Sequence, residues 1–107
     1  MTDVSTPKVE CLKDLINYQD GSVVSREIIR KSTGTITLFA FDKDQGLSEH
    51  RAPFDALVHI LDGEAEVTIS GKVFHLEQDQ MVILPANETH ALKALSKFKM
   101  LLVMIKS

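Results

Sequence analysis

Cysteine is almost absent from the sequence, and its scarcity excludes two kinds of stabilisation. The 107 residues include one cysteine, Cys11, which can form neither an internal disulfide nor a structural zinc site built from two or more thiolates. We interpret Cys11 as a half-buried residue ahead of a short helix. The stretch from Met1 to Pro7 is polar and lacks the apolar core of a signal peptide, so we expect a reducing, cytoplasmic location.

Long basic and long apolar runs are also missing. The densest basic stretch, from Arg26 to Lys31, is interrupted by Glu27 and two isoleucines, and the net charge of the chain is −3. Because nucleic-acid binding needs clustered lysine and arginine, this composition argues against a nucleic-acid partner. No window approaches the roughly 18 apolar residues of a membrane span, so no membrane partner is expected.

The sequence is rich in alternating apolar and polar residues. From Glu64 to Ser70, apolar and polar side chains alternate as in a strand with one buried and one solvated face. Further strands are predicted at Thr35–Phe41, Asp55–Leu61, Met81–Leu84 and Phe98–Ile105. Asp62-Gly63 and Ser70-Gly71 are typical of hairpin turns. This pattern indicates an all-β fold, an antiparallel β-barrel or double-stranded β-helix jelly roll.

The first part of the chain follows a different pattern. Leu12, Leu15 and Ile16 have the i, i+3, i+4 spacing of a helix, which predicts one short N-terminal helical turn near residues 12–17. We therefore divide the chain into an N-terminal lead-in, residues 1–20, and a barrel domain, residues 21–107. The apolar residues just after the Asp20-Gly21 turn are too many for a free arm, and we expect this segment to pair across a dimer or to cap the barrel.

Four histidines are candidates for chemistry: His50, His59, His75 and His90. Strand parity puts His50 on one face with Ala52 and His90 on one face with Leu92, so this pair is expected to point into the barrel. By the same reasoning, His75 points to solvent and His59 faces away from the pocket or towards an interface. Taken singly, each histidine fits an ordinary hydrogen-bonded or solvated role, and the pair gains interest from its surroundings.

Two stretches around this pair resemble the motifs of the cupin family. Residues 46–64, from Gly46 through His50 to Gly63, resemble the first motif, G-x5-H-x-H-x3-4-E-x6-G. Residues 79–90, with Pro85 and His90, resemble the second motif, G-x5-P-x-G-x2-H-x3-N. The order, the spacing and the intervening hairpin also fit, and the resemblance covers about residues 34–105. It implies a small single-domain cupin of the type-2, RmlC-like kind.

The sequence departs from the motifs at two of the four usual metal ligands. With Gly63 aligned, Ala52 replaces the second histidine and Ala56 replaces the glutamate, while His50 and His90 remain. The resemblance therefore implies at most one weakly held divalent metal, Fe, Mn, Ni or Zn, on these two histidines. Parity turns Asp55 away from them, although a loop or bulge near Pro53 could bring it back as a replacement ligand.

The other positions predicted to face the pocket are mainly apolar. With His50 and His90, the candidate ligand pocket contains Ala52, Ala56, Val58 and Leu92. Ala94, Phe39, Phe41 and Met100 are further candidates. A small apolar cavity with imidazoles on one side suits a small organic molecule. The alternative is that these side chains simply fill a small barrel.

Three functional hypotheses follow, and the sequence does not separate the first two. The chain could be a small-molecule binding or sensing module, or a metal-dependent enzyme of the dioxygenase or isomerase type that acts on a small carbonyl or phenolic compound. Metal-independent acid–base catalysis by a histidine ranks third, because no carboxylate is placed to orient one. A homodimer is also expected, because Phe98–Ile105 is apolar on both faces, and Leu57, His59 and Leu61 put apolar surface outside the barrel.

Overall fold

The alternating segments form two antiparallel sheets in the computed structural model, which describes residues 7–106. The expected cytoplasmic location was based on the polar stretch from Met1 to Pro7, and residues 1–6 of it lie outside the described residues. The strands are β1 Val23–Lys31, β2 Gly34–Phe41, β3 Gly46–His50, β4 Asp55–Asp62, β5 Ala65–Ile69, β6 Lys72–Leu76, β7 Met81–Leu84, β8 His90–Ala94 and β9 Phe98–Ile105.

The strand order brings distant parts of the sequence together. One sheet has the order β1-β2-β9-β4-β7, and the other has the order β3-β8-β5-β6. β9 lies between β2 and β4. Phe98 and Met100 on one face join the core between the sheets, and Leu101 on the other face packs against an outer apolar cluster. The predicted antiparallel jelly roll is confirmed. Among residues 7–106, no helix is long and apolar enough to cross a membrane.

Backbone conformation fixes two of the predicted turns. Ser70 and Gly71 both have positive φ angles, 48° and 81°, and form the two-residue hairpin between β5 and β6. Gly63, between β4 and β5, has a φ of 77°, and a Cβ atom there would lie 1.9 Å from the carbonyl oxygen of Lys97. Gly63 is therefore required by both its conformation and its close approach to the backbone of the turn before β9.

The inner faces of the two sheets enclose the main core. The rings of Phe41 and Phe98 stack with centroids 4.4 Å apart, and both side chains are fully buried. Val67 from the second sheet and Val58 from the first belong to the same cluster. The deep part of the space between the sheets is thus filled by side chains.

A second apolar cluster lies on the outer face of the five-stranded sheet. Ile16 of the N-terminal segment packs there on Leu38, Ala40 and Leu61. The hydroxyl of Tyr18 donates a 2.6 Å hydrogen bond to Asp62 and fastens the segment to β4. The segment therefore covers the part of that outer face around Leu38, Ala40 and Leu61.

Three expectations about the N-terminal region need correction or refinement. The predicted helical turn is a single 3-10 turn, Leu12–Asp14, since three residues are too few to nucleate an α-helix. Cys11 is exposed rather than half-buried. The apolar segment after Gly21 becomes β1, an edge strand that pairs on one side with β2 of the same chain. Its pairing across a dimer through the other side stays a prediction.

Candidate functional site

The pairing of β3 with β8 places His50 directly opposite His90. The two residues are Cα partners in the antiparallel register, although the ladder is irregular between Leu47 and His50. Their Nε2 atoms are 3.0 Å apart, and their rings meet edge to face with centroids 4.2 Å apart. The structure thus joins two histidines that are 40 residues apart in the sequence.

The hydrogen bonds of the pair indicate which nitrogens carry protons. Nδ1 of His50 lies 2.8 Å from the carbonyl oxygen of Ser48, and a carbonyl oxygen can only accept. In the neutral ring, Nδ1 of His50 therefore carries the proton, and its Nε2 presents a lone pair. We assign the proton of the 3.0 Å contact to Nε2 of His90, which leaves its Nδ1 as a lone pair.

Burial keeps His90 neutral. Only 9% of the residue is exposed, and its Nδ1 atom is buried without a hydrogen-bond partner among the described residues. Burial lowers the pKa of His90, and the nearby charge of His50 lowers it further. The polar backbone of Glu88 raises this pKa, but by less than the other two effects lower it. The site therefore presents an uncharged imidazole at neutral pH.

A small cavity opens beside the histidines. Its volume is about 60 Å³, enough for a few waters. The six residues predicted for the pocket all line it, and with them Met100. The full lining is Leu47, His50, Ala52, Phe54, Ala56, Val58, Leu84, His90, Leu92, Met100, Leu102 and Met104.

Other predicted pocket residues lie elsewhere, and some lining residues were missed. Ala94, Phe39 and Phe41 belong to the core but do not line the cavity. Leu102 and Met104 were missed, although their alternation with Met100 on β9 was a readable signal. Phe54 lies in a loop, where strand parity gives no prediction.

Two backbone donors fasten the loops near the predicted pocket residue Ala52. The amide of Asn87 donates a 2.7 Å hydrogen bond to the carbonyl oxygen of Ala52. The amide of Ala86 donates a 2.9 Å hydrogen bond to Oδ1 of Asp55. Since its carboxylate is exposed, bonded to this loop and absent from the cavity lining, Asp55 does not replace the missing metal ligand.

The spacing of the histidine nitrogens is compatible with a shared ion. Two nitrogens that each lie about 2.0–2.1 Å from one ion are about 2.8–3.6 Å apart for angles of 90–120° at the ion. The observed 3.0 Å falls within this range. The described residues supply no third histidine, cysteine or carboxylate near the pair, so the remaining ligands would have to be neutral groups or water.

A separate group of possible metal ligands lies on the solvent side of the other sheet. Glu64, His75 and Glu77 each offer a donor atom, and these atoms lie within 4.8 Å of one another. Nε2 of His75 is 3.1 Å from a carboxylate oxygen of Glu64, and both side chains are about half exposed. His75 points to solvent as expected, and the group can act as a surface ion pair or hold a metal ion.

Comparisons with known proteins agree with this architecture. A conserved protein of unknown function from Streptococcus pyogenes is 34% identical, with a TM-score of 0.92 over 99% of this chain and 93% of that one. A cupin superfamily protein from Desulfitobacterium hafniense is 27% identical, with a TM-score of 0.90 over 95% of this chain and 94% of that one.

A third solved structure is similar over part of its length. The cupin 2 conserved barrel domain protein from Leptotrichia buccalis is 38% identical, with a TM-score of 0.85 over 88% of this chain and 46% of that one. No curated protein matches the chain. The Cupin domain family matches residues 37–106, which include both histidines and most of the strands. The chain therefore belongs to the cupin family.

Proposed function

We propose that this cupin domain binds a small organic molecule in the cavity between its sheets. The observation that carries the proposal is the composition of the cavity wall, in which apolar side chains surround one polar group, the pair of His50 and His90. Ligand sites commonly combine an apolar wall with a few placed polar groups. The same wall would hold a ligand by burial and orient it by one hydrogen bond.

The size of the cavity limits the ligand to a few heavy atoms. The volume of about 60 Å³ is well below the roughly 300 Å³ of the smaller drug-like pockets. Leu92, Val58 and Leu84 are almost fully buried and define this limit. A low-mass carbonyl or phenolic compound fits these dimensions better than a sugar nucleotide or a peptide.

The neutral histidines can recognise either kind of compound. Nε2 of His90 carries a proton that a carbonyl oxygen can accept, and Nε2 of His50 presents a lone pair to which a phenol can donate. A bound ligand would replace the 3.0 Å contact between the two rings. Because the lowered pKa of His90 reflects burial, recognition does not require a charged ligand.

The alternative is a metal-dependent enzyme, and the spacing of the histidine nitrogens favours it. A divalent Fe, Mn, Ni or Zn ion would be held by His50 and His90, with water or substrate in the other positions. The fit is incomplete, because Ala52 and Ala56 supply no donor and Asp55 is bonded to the backbone of Ala86. The site thus lacks the negative charge that helps to retain a dication.

The test begins with the metal content of protein purified without a histidine tag, and continues with a titration of short ketones, aldehydes and phenols. We expect saturable binding of one such compound in metal-free protein, and weaker binding in His90→Gln, which preserves a neutral polar side chain. His75→Gln, on the outer surface, is the matched control and should bind normally. Tightly held divalent metal, one per chain, that is lost in His50→Ala would support the enzyme instead.

We also propose a homodimer formed through the outer face of the five-stranded sheet. One apolar row crosses all five strands in register and contains Ile29, Ile36, Val103, Leu57 and Ile83. The N-terminal segment covers Leu61, which was expected to be exposed, but this row lies beyond the covered cluster.

The exposure of the row's outer edge supports that interface. Ile83, at the end of the row on β7, is 47% exposed in the isolated chain, and Ile105, two residues beyond Val103 on β9, is 55% exposed. A two-fold dimer would let the same row pack against its own copy and remove it from water. Light scattering on the eluted protein should give twice the chain mass, whereas a monomer at every concentration would contradict the dimer. A cytoplasmic location is a separate proposal, which cell fractionation would test.

A further inference from the structure

Glu64, His75 and Glu77 form a surface cluster at one end of the four-stranded sheet. The register of β5 with β6 pairs Ala65 with Leu76, so Glu64 and Glu77 stand opposite one another at the next position. Since Ala65 and Leu76 are buried, alternation directs both glutamates and His75 away from the core. The cluster is therefore a property of the strand pairing, and it lies outside the cavity that contains His50 and His90.

The donor atoms of the surface cluster are close enough to share one ion. Nε2 of His75 lies 3.1 Å from Oε2 of Glu64, and the donor atoms of all three residues lie within 4.8 Å of one another. Ligands that each lie about 2.0–2.2 Å from a tetrahedral zinc ion are about 3.3–3.6 Å apart. The longest separation must therefore shorten by at most about 1.5 Å, which rotation of an exposed carboxylate such as that of Glu77 can supply.

The charges of the surface cluster are unbalanced without a cation. Like charges directly opposite each other on antiparallel strands destabilise a sheet, and Glu64 and Glu77 are such a pair. Among the described residues, neither forms an ion pair with a lysine or an arginine, and Lys93 of β8 is opposite Glu66 instead. His75 can offset one of the two carboxylates, and only when it is protonated. A bound dication would offset both.

The donor types select the ion. One imidazole and two carboxylates make a nitrogen–oxygen set, which suits zinc(II), whereas magnesium and calcium take oxygen ligands. We propose that Glu64, His75 and Glu77 form a zinc(II) site, with water in the fourth position. This site has the third protein ligand and the negative charge that the cavity histidines lack. It does not depend on the binding of an organic molecule, because none of its donors lines the cavity.

The place of the surface cluster in the fold gives zinc a structural role. Glu64 ends the connection from β4 to β5, and Glu77 begins the connection from β6 to β7; each connection passes from one sheet to the other. Their backbones are already fixed, because the amide of Glu64 donates a 3.1 Å hydrogen bond to Oγ of Ser96 and the amide of Glu77 donates a 2.8 Å hydrogen bond to Oε1 of Gln80. Zinc would join two crossovers that need little further ordering, which favours binding.

The experiment measures zinc(II) affinity by competition with a chromophoric chelator, in untagged full-length protein. All variants carry His50→Ala, which removes an exposed donor of the cavity pair. We expect Glu77→Gln to weaken zinc binding by at least about tenfold, since loss of even an outer-shell partner of a metal can cost that much. Glu66→Gln is the matched control, because it removes the same charge from the same face of β5 but lies outside the donor group. It should keep the affinity of the background protein.

Thermal unfolding tests the structural role of the ion. Zinc should raise the melting temperature of the background protein and of Glu66→Gln, but not that of Glu77→Gln or His75→Gln. X-ray absorption of the zinc-loaded background protein should show one imidazole among nitrogen and oxygen ligands, and this readout needs no further variant.

Three results would overturn the proposal. Zinc affinity that is unchanged in Glu77→Gln would exclude this ligand set. Equal losses in Glu66→Gln and Glu77→Gln would show attraction by surface charge alone. Two imidazoles around the zinc would place it elsewhere. None of these results would affect the organic-ligand proposal, which is measured in metal-free protein.

Discussion

Two buried valines offer a matched test of whether the cavity is a binding site. Val58 and Val67 are both fully buried in the same core, but only Val58 lines the cavity. Replacing either one with alanine removes the same two methyl groups. The two variants should therefore lose similar stability and differ in ligand binding.

The size of the stability loss follows from burial. Two buried carbons contribute about 1.6 kcal/mol at about 0.8 kcal/mol each. The void left behind adds to this loss, so each variant should be destabilised by about 2–3 kcal/mol. Urea denaturation with an unchanged slope would measure the loss as a shift of the midpoint. Total stabilities of about 5–15 kcal/mol leave both variants folded.

The ligand series then separates the two valines. Val58→Ala enlarges the cavity by the volume of the two methyl groups removed. In a homologous series of ketones or phenols, the compound that binds most tightly should therefore have a longer chain than for the wild type. Val67→Ala should leave the preferred length unchanged. Equal shifts in both variants, or a longer preferred ligand in Val67→Ala alone, would refute the assignment of the cavity as the binding site.

Three further predictions concern titration, the fold and assembly. Because the pKa of His90 is lowered in the folded protein, the unfolded chain binds more protons than the folded chain just below about pH 6.5. The free energy of unfolding should therefore fall as the pH drops through this region. Urea denaturation of His90→Gln should show a weaker dependence of stability on pH. Gly63→Ala should lower the free energy of unfolding by at least about 2 kcal/mol, because its Cβ would meet the carbonyl of Lys97; a change of a few tenths would contradict this. Ile83→Lys should dissociate the proposed dimer in light scattering, whereas Val73→Lys, exposed on the other sheet, should not.

Local pattern was sufficient to predict much of the fold. The strands Met81–Leu84 and Phe98–Ile105 have the bounds that alternation and flanking breaks predicted. The pairing of β1 with β2 was missed because apolar content alone does not say which strand lies next to an edge. The helical turn is confined to Leu12–Asp14, none of whose residues is buried, whereas Ile16 beyond it packs on the outer face of the five-stranded sheet. Helical spacing alone does not predict that contact.

The candidate site was predictable in its members but not in its geometry. Parity indicated that His50 and His90 face inward, since the face of a side chain follows from position along the strand. The 3.0 Å contact between them and the register of Met104 with Ala56 depend on which strands pair, which a single sequence does not specify. The bond from Ala86 to Asp55 depends on a loop, where no periodicity applies.

The most direct test of the proposed function is nuclear magnetic resonance of the histidine rings in metal-free protein during titration with the best small carbonyl or phenolic compound. We predict that the free protein shows the Nδ1-protonated form of His50 and neutral His90 at pH 7. The compound should shift the Nε2 signals of both rings and the methyl signals of Leu92 together, with one saturation curve. Saturable binding that leaves these signals unchanged, or that moves only the surface residue His75, would contradict binding in the cavity.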